Sequence, residues 1–245
     1  MKKLAPKITL IETKGFTLVE LMITLLLSSI VLAAISTAYQ TQQRSQTILS
    51  QRIGMQQQLR SLITFISSEI RLTGLDPQED DNVGISQASQ GGFRFTLDVD
   101  DDGLSTGANE DIEYGFPFAD DNNDDGQADI GAASFCRRRA NVDSTELGFE
   151  SLADNIVAVE FLYVLEDSSD NDQYDPTTTL TPSTPELEDI RAITISILIR
   201  TANPDSKYDN NETYVAASGQ VWGPYDDNYR RMLLTTNVKL RNIGL

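Results

Sequence analysis

Apolar residues change their spacing twice along this chain. From Phe16 to Tyr39 they are nearly continuous, and Glu20 is the one charged residue in those 24 positions. As a helix, at about 1.5 Å per residue, that stretch reaches roughly 36 Å, enough to cross a bilayer. Beyond it, apolar positions recur at helical spacing among polar ones: Ile48, Met55, Leu59, Leu62, Ile63, Ile66 and Ile70. Pro6 and Pro77 bracket a long proline-free run. The pattern predicts one helix from Thr17 to Leu72, with Gly74 as its C-cap and Pro77 just past it.

After Pro77 the period falls to two. Phe93–Val99, Ile112–Phe116, Ile156–Leu165, Ile190–Thr201 and Met232–Arg241 alternate apolar and polar residues, the pattern of half-buried antiparallel strands. The apolar stripe of the helix is the natural cover for such a sheet. The fold expected is α+β: a long N-terminal helix packed on an antiparallel β-sheet with long acidic loops. The loops fall at 76–92, 100–110, 117–134 and 167–189. Residues 1–15 read as a leader, 16–39 as a transmembrane or filament-core helix, 40–74 as its amphipathic continuation, and 75–245 as a globular β-rich domain.

Charge sharpens this division. The chain carries a formal −18. Residues 1–15 hold four lysines and one glutamate, so the remainder has 15 basic and 36 acidic residues, a net −21. Such a body repels phosphate backbones, so nucleic acid is not an expected partner. The run Arg137-Arg138-Arg139 is a local basic patch that does not reverse this. The basic leader predicts an N-terminus that stays cytoplasmic while the rest is exported. With no histidine, the commonest general base and any Ser/His triad are excluded. No phosphate-cradling glycine loop is present either, and the chain is not expected to be an enzyme. Cys136 is the only cysteine, so no disulfide forms within the chain. It is expected to be half-buried.

An ordinary secretory signal competes for the N-terminus, because Ala33-Ala34 and Ser36-Thr37-Ala38 imitate a cleavage site after the apolar run. Glu20 decides between them. A carboxylate within an apolar span is costly in lipid and marks a functional position. The stretch Lys14-Gly15-Phe16-Thr17-Leu18-Val19-Glu20-Leu21 resembles the class III signal of type IV prepilins and of type II secretion pseudopilins. The resemblance implies that a prepilin peptidase cuts between Gly15 and Phe16 and methylates the new amine. It also implies that Glu20, then the fifth mature residue, neutralises the N-terminal amine of a neighbouring subunit in the filament core. Two opposite charges are tolerable there only as a pair.

Further segments resemble the PilW-type minor pilins. They are Leu152-Ala153-Asp154-Asn155-Ile156 with Phe161-Leu162-Tyr163, Ile190-Arg191-Ala192-Ile193 running to Leu198-Ile199-Arg200-Thr201, and Tyr229-Arg230-Arg231 with Thr235 to Asn242. This likeness implies a minor pilin that takes part in priming or assembling a type IV pilus. Its partners would be other minor and major pilins, met through the N-terminal helix. It would sit in the inner membrane first, then on the pilus or surface of a Gram-negative-type cell. PilW-type proteins are related to GspJ-type pseudopilins, so a type II secretion subunit is the alternative. A calcium-dependent adhesive subunit, using aromatics near Trp222 and Tyr225, is another.

Two acidic loops suggest calcium. Asp98, Asp100 and Asp102 followed by Gly103 match the front half of an EF-hand-type loop, in which alternate carboxylates converge and the glycine permits the turn. Asp121, Asn123 and Asp125 followed by Gly126 repeat it, with Asp129 as an added oxygen ligand. Both depart from the EF-hand at the twelfth position, where Asn109 and Ala132 replace its glutamate; Glu110 or Asp111 stand near enough to serve in the first loop. Plain solvated turns are the alternative. A third acidic run, Asp167–Asp175, has no glycine and reads as a solvated loop. No cofactor is required, and calcium would be structural.

Overall fold

Thr17 opens the long helix α1 (Leu18–Ile70), in a computed structural model that describes residues 15–77, 83–105, 109–139, 148–166 and 176–243. Residues 1–14 of the leader and the run Asp167–Asp175 lie outside the described residues. The chain divides into two compact units at Ser50/Gln51. In the first, Phe16 to Gln43 are exposed throughout. In the second, Met55, Leu59, Leu62, Ile66 and Ile70 of α1 are buried, at the spacing read from the sequence.

That stripe covers an antiparallel sheet. Its strands are β1 (Ile85–Ala88), β2 (Phe93–Thr96), β3 (Asp111–Gly115), β4 (Ala133–Arg139), β5 (Glu150–Leu165), β6 (Thr178–Thr179), β7 (Ile190–Arg200) and β10 (Arg231–Lys239). The order is β1-β2-β3-β4-β5-β7-β10, and β6 pairs with the far end of β5. A hairpin of β8 (Tyr214–Val215) and β9 (Val221–Trp222) forms a second, two-stranded sheet. One core lies between α1 and the sheet, built on Phe93, Phe95, Tyr114, Phe135, Phe161 and Tyr163. A smaller one lies under the hairpin, where Trp222 packs with Val157, Ala158, Leu198 and Ala216.

The helix stops at Ile70, two residues before the expected end. Gly74 takes φ +71° as a C-cap glycine does. Its N–H, however, donates to the Thr96 carbonyl of β2 at 3.2 Å and not back to the helix. A Cβ there would sit 2.6 Å from Ile243 Cδ1. Asn242 Nδ2 donates to the carbonyls of Arg71 and Thr73, so the C-terminal tail completes the end of the helix.

Three expected loops hold structure. β1 lies in 76–92, and β6 and a 3-10 helix (Thr184–Asp189) lie in 167–189. The 117–134 loop gives way to β4 at Ala133, and β5 begins at Glu150, before the expected Ile156. Register shifts mark the β4–β5 pairing, and Asn155 has φ +62°, so irregular backbone masks the period of two in this part of the chain.

The arginine run is not a free patch. Arg137 meets Glu69 at 2.8 Å, Arg138 meets Glu113, and Arg139 meets Glu150 at 2.6 Å. Trp222 is buried in the smaller core, and Tyr225 lies beside it under Arg231. The adhesive reading placed a ligand on these aromatics; the surface of Trp222 is spent on packing, and Tyr225 is half-buried.

Candidate functional site

Phe16 is 86% exposed, and a Cβ built on Gly15 meets nothing within 4 Å. Gly15 is therefore a glycine that the fold itself does not require. From Leu18 to Ile35 the apolar side chains remain exposed, and the helix is long and apolar enough to cross a membrane.

Thr17 and Glu20 form a reciprocal cap. The Glu20 carboxylate accepts from Thr17 N and Thr17 Oγ1, each at 2.9 Å, and Glu20 N donates to Thr17 Oγ1 at 3.2 Å. This is a capping box, which satisfies N–H groups that the first helical turn leaves free. Sequence reasoning assigned Glu20 to charge pairing alone. The Thr-x-x-Glu spacing before an apolar run was the available signal for its second role. The cap holds the carboxylate at the head of the apolar helix, on the first turn after Phe16.

The first acidic loop joins β2 to β3. Carboxylate oxygens of Asp98, Asp100 and Asp102 lie within 4.8 Å of one another. Among the described residues they are the one acidic group of three or more so gathered. Asp98 is buried, and it accepts from Asp101 N at 2.7 Å and Gly103 N at 3.1 Å. Loss of solvation raises the Asp100 carboxyl above its ordinary pKa, and Asp102, Glu110 and Asp98 add to the rise. Glu110 folds back onto this loop, accepting from Val99 N at 3.0 Å, whereas Asp111 is taken by Arg94 at 2.8 Å.

The second loop, between β3 and β4, repeats this backbone. Asp121 accepts from Asp125 N at 3.3 Å and Gly126 N at 2.8 Å. The fourth and sixth positions have positive φ in both loops: Asp101 at 64° and Gly103 at 77°, Asp124 at 54° and Gly126 at 75°. Partial burial raises the Asp121 carboxyl against the opposing pull of Gly126 N–H. Asn123 and Asp129 turn their oxygens to loop amides, Asp125 N and Asn122 N. Gly126 has a packing role that the sequence did not show: a Cβ there would fall 2.0 Å from the Val159 carbonyl, because this loop hydrogen-bonds along β5.

Two further carboxylates are held by serines. Glu160, fully buried on β5, accepts from Ser218 N and Oγ, and Asp154 accepts from Ser134 and Ser151 hydroxyls. Burial pushes the Cys136 thiol up to about 11, with Asp120 and Asp154 adding to it, so it stays protonated at neutral pH.

Two family models match the chain. Residues 12–36 match the prokaryotic N-terminal methylation motif. Residues 118–242, half of the chain, match type IV pilus-assembly protein W. The chain belongs to the PilW family. A search of curated proteins finds no match. Among solved structures, a type IV-like pilin from Thermus thermophilus is similar at 15% identity and a TM-score of 0.41, covering 78% of this chain and 99% of its own. The PilW match runs from the second acidic loop through β4, β5, β7 and β10, and the methylation motif spans Gly15, Phe16 and Glu20. As a PilW-family minor pilin, the chain is a structural subunit of type IV pilus assembly.

Proposed function

We propose that this PilW-family subunit is cut after Gly15 and methylated on Phe16. It is then held in the inner membrane with its N-terminal end cytoplasmic, and it enters the pilus of a Gram-negative-type cell through α1. Glu20 meets the N-terminal amine of a neighbouring minor or major pilin. The observation that carries this reading is an exposed apolar helix with one carboxylate, capped in place beside Phe16. In an apolar filament core that carboxylate requires a cation, and a free amine of a second subunit supplies it.

Capping and charge pairing are separable. Glu20→Gln keeps the acceptor of the capping box and removes the charge. The variant is expected in the membrane at normal level, with its helix intact, and depleted from sheared pili by immunoblot. Normal incorporation of Glu20→Gln would refute the pairing. A type II secretion pseudopilin uses the same helix chemistry. The match to a pilus-assembly family favours the pilus.

A second reading concerns calcium. Two loops of one backbone conformation, one with three carboxylates gathered within 4.8 Å, support structural calcium at Asp98, Asp100 and Asp102 and at Asp121, Asn123, Asp125 and Asp129. An ion would offset the repulsion within each loop and tie the loop to its flanking strands. Excess calcium is expected to raise the melting temperature by a few degrees over chelator, as binding to the native state alone requires. Asp98→Asn with Asp121→Asn should abolish the rise. An identical melting temperature in calcium and chelator would end this reading.

A further inference from the structure

The sheet is closed at one edge and open at the other. At the closed edge β1 is four residues long and lies against the 3-10 helix Thr184–Asp189. At the other, β10 runs nine residues without bulge or proline, and β7 is its only strand neighbour among the described residues. Thr201 N donates to the Arg230 carbonyl at 2.8 Å, and Leu240 N donates to the Arg191 carbonyl at 3.0 Å. Positions of that parity therefore face β7. In an antiparallel ladder the alternate residues, Arg231, Leu233, Thr235, Asn237 and Lys239, aim their N–H and C=O groups outward. Long exposed edges pair readily with other chains, and proteins ordinarily shorten, bulge or cover them. Here the C-terminal end of the strand is tied beyond Lys239, through Asn242, to the end of α1.

Charge selects the occupant. From Asn228 to Ile243 there are four basic residues and no acidic one, in a chain of net −18. Arg230 and Arg231 are paired with Asp205 and Asp227. Lys239 and Arg241 are exposed, and among the described residues neither has an acidic partner. A second copy is the wrong occupant. Full-length antiparallel pairing of β10 with itself sets Lys239 opposite Arg231, which Asp227 already holds, and brings no acidic residue to Lys239 or Arg241.

We propose that the outer edge of β10 accepts an extended, acid-bearing strand of another pilus subunit, which extends the sheet with carboxylates toward Lys239 and Arg241. That the partner belongs to the pilus rests on the assembly role proposed above; the receptive edge does not. Main-chain hydrogen bonds supply the affinity in this mode, and side chains supply the selection.

The test uses the full-length chain in detergent micelles. The probe is a peptide the length of β10 that alternates Glu with Val; a Lys/Val peptide and empty micelles are controls. Binding of the Glu/Val peptide is expected to slow amide exchange at Leu233, Thr235 and Asn237 and to weaken with added salt. Thr235→Pro deletes an outward N–H, a change that an edge strand tolerates. It should keep the melting temperature near normal and weaken binding about tenfold or more, the scale of a lost hydrogen bond with its ladder disturbed. Thr235→Val, which keeps the N–H and loses the hydroxyl, should bind normally. No protection by the Glu/Val peptide, equal binding to Thr235→Pro, or equal binding of the Lys/Val peptide would each overturn the proposal. Failure of Phe16 processing would instead remove the pilus role and leave the peptide result standing.

Discussion

Glu69 shows how single residues tie the helix to the sheet. Its carboxylate accepts two hydrogen bonds from Arg137 of β4, both at 2.8 Å, and one from the Tyr114 hydroxyl of β3. The Arg137 side chain is only 6% exposed, so its charge depends on this partner. Burial raises the Tyr114 pKa, and the bond to Glu69 raises it further, so the phenol remains a donor at any physiological pH. Glu69→Leu alone strands a buried guanidinium and is expected to cost about 3–5 kcal/mol in chemical denaturation. Adding Arg137→Met and Tyr114→Phe should recover most of that loss, since apolar replacement of a whole buried network is often near neutral. An equal loss in the triple variant would mean that Glu69 acts by packing alone. None of these partners was legible in the sequence. Ion pairing across distant elements leaves no local period, and three arginines in a row look like a patch until β3 and β5 give Arg138 and Arg139 an acid each and the end of α1 gives Arg137 its Glu69.

Elements were legible where periodicity was strong. The stripe from Met55 to Ile70 and the alternation in β2, β3, β5, β7 and β10 follow directly from apolar spacing. The missed strands have physical reasons. β4 ends in Arg137-Arg138-Arg139, whose long side chains pair at its flank, and β1, β6, β8 and β9 are too short to show a period. The same spacing separates the two parts of α1. Ile66→Ala removes a fully buried side chain and should destabilise the globular unit by about 2–5 kcal/mol. Leu27→Ala, at a site 56% exposed, should leave that unit's stability unchanged. Equal losses would show that the apolar span, and not only the Met55–Ile70 stripe, supports the sheet.

At the scale of the whole molecule, sequence and fold divide the work. The apolar helix with its capped carboxylate is the part suited to membrane and filament. The acidic sheet domain, with its open basic edge, is the part suited to choosing neighbours. The signal around Gly15 was readable because peptidase and lipid both act on local sequence. The acidic loops were readable in composition and spacing, and their common backbone only in three dimensions. Central to this account is that Gly15 marks a processing site, since the fold places no demand on it. The most direct measurement is the mass of the mature N-terminus after expression with and without a prepilin peptidase. The account predicts a chain beginning at methylated Phe16 only when the peptidase is present. A retained leader, or a cut near Ala38, would contradict it.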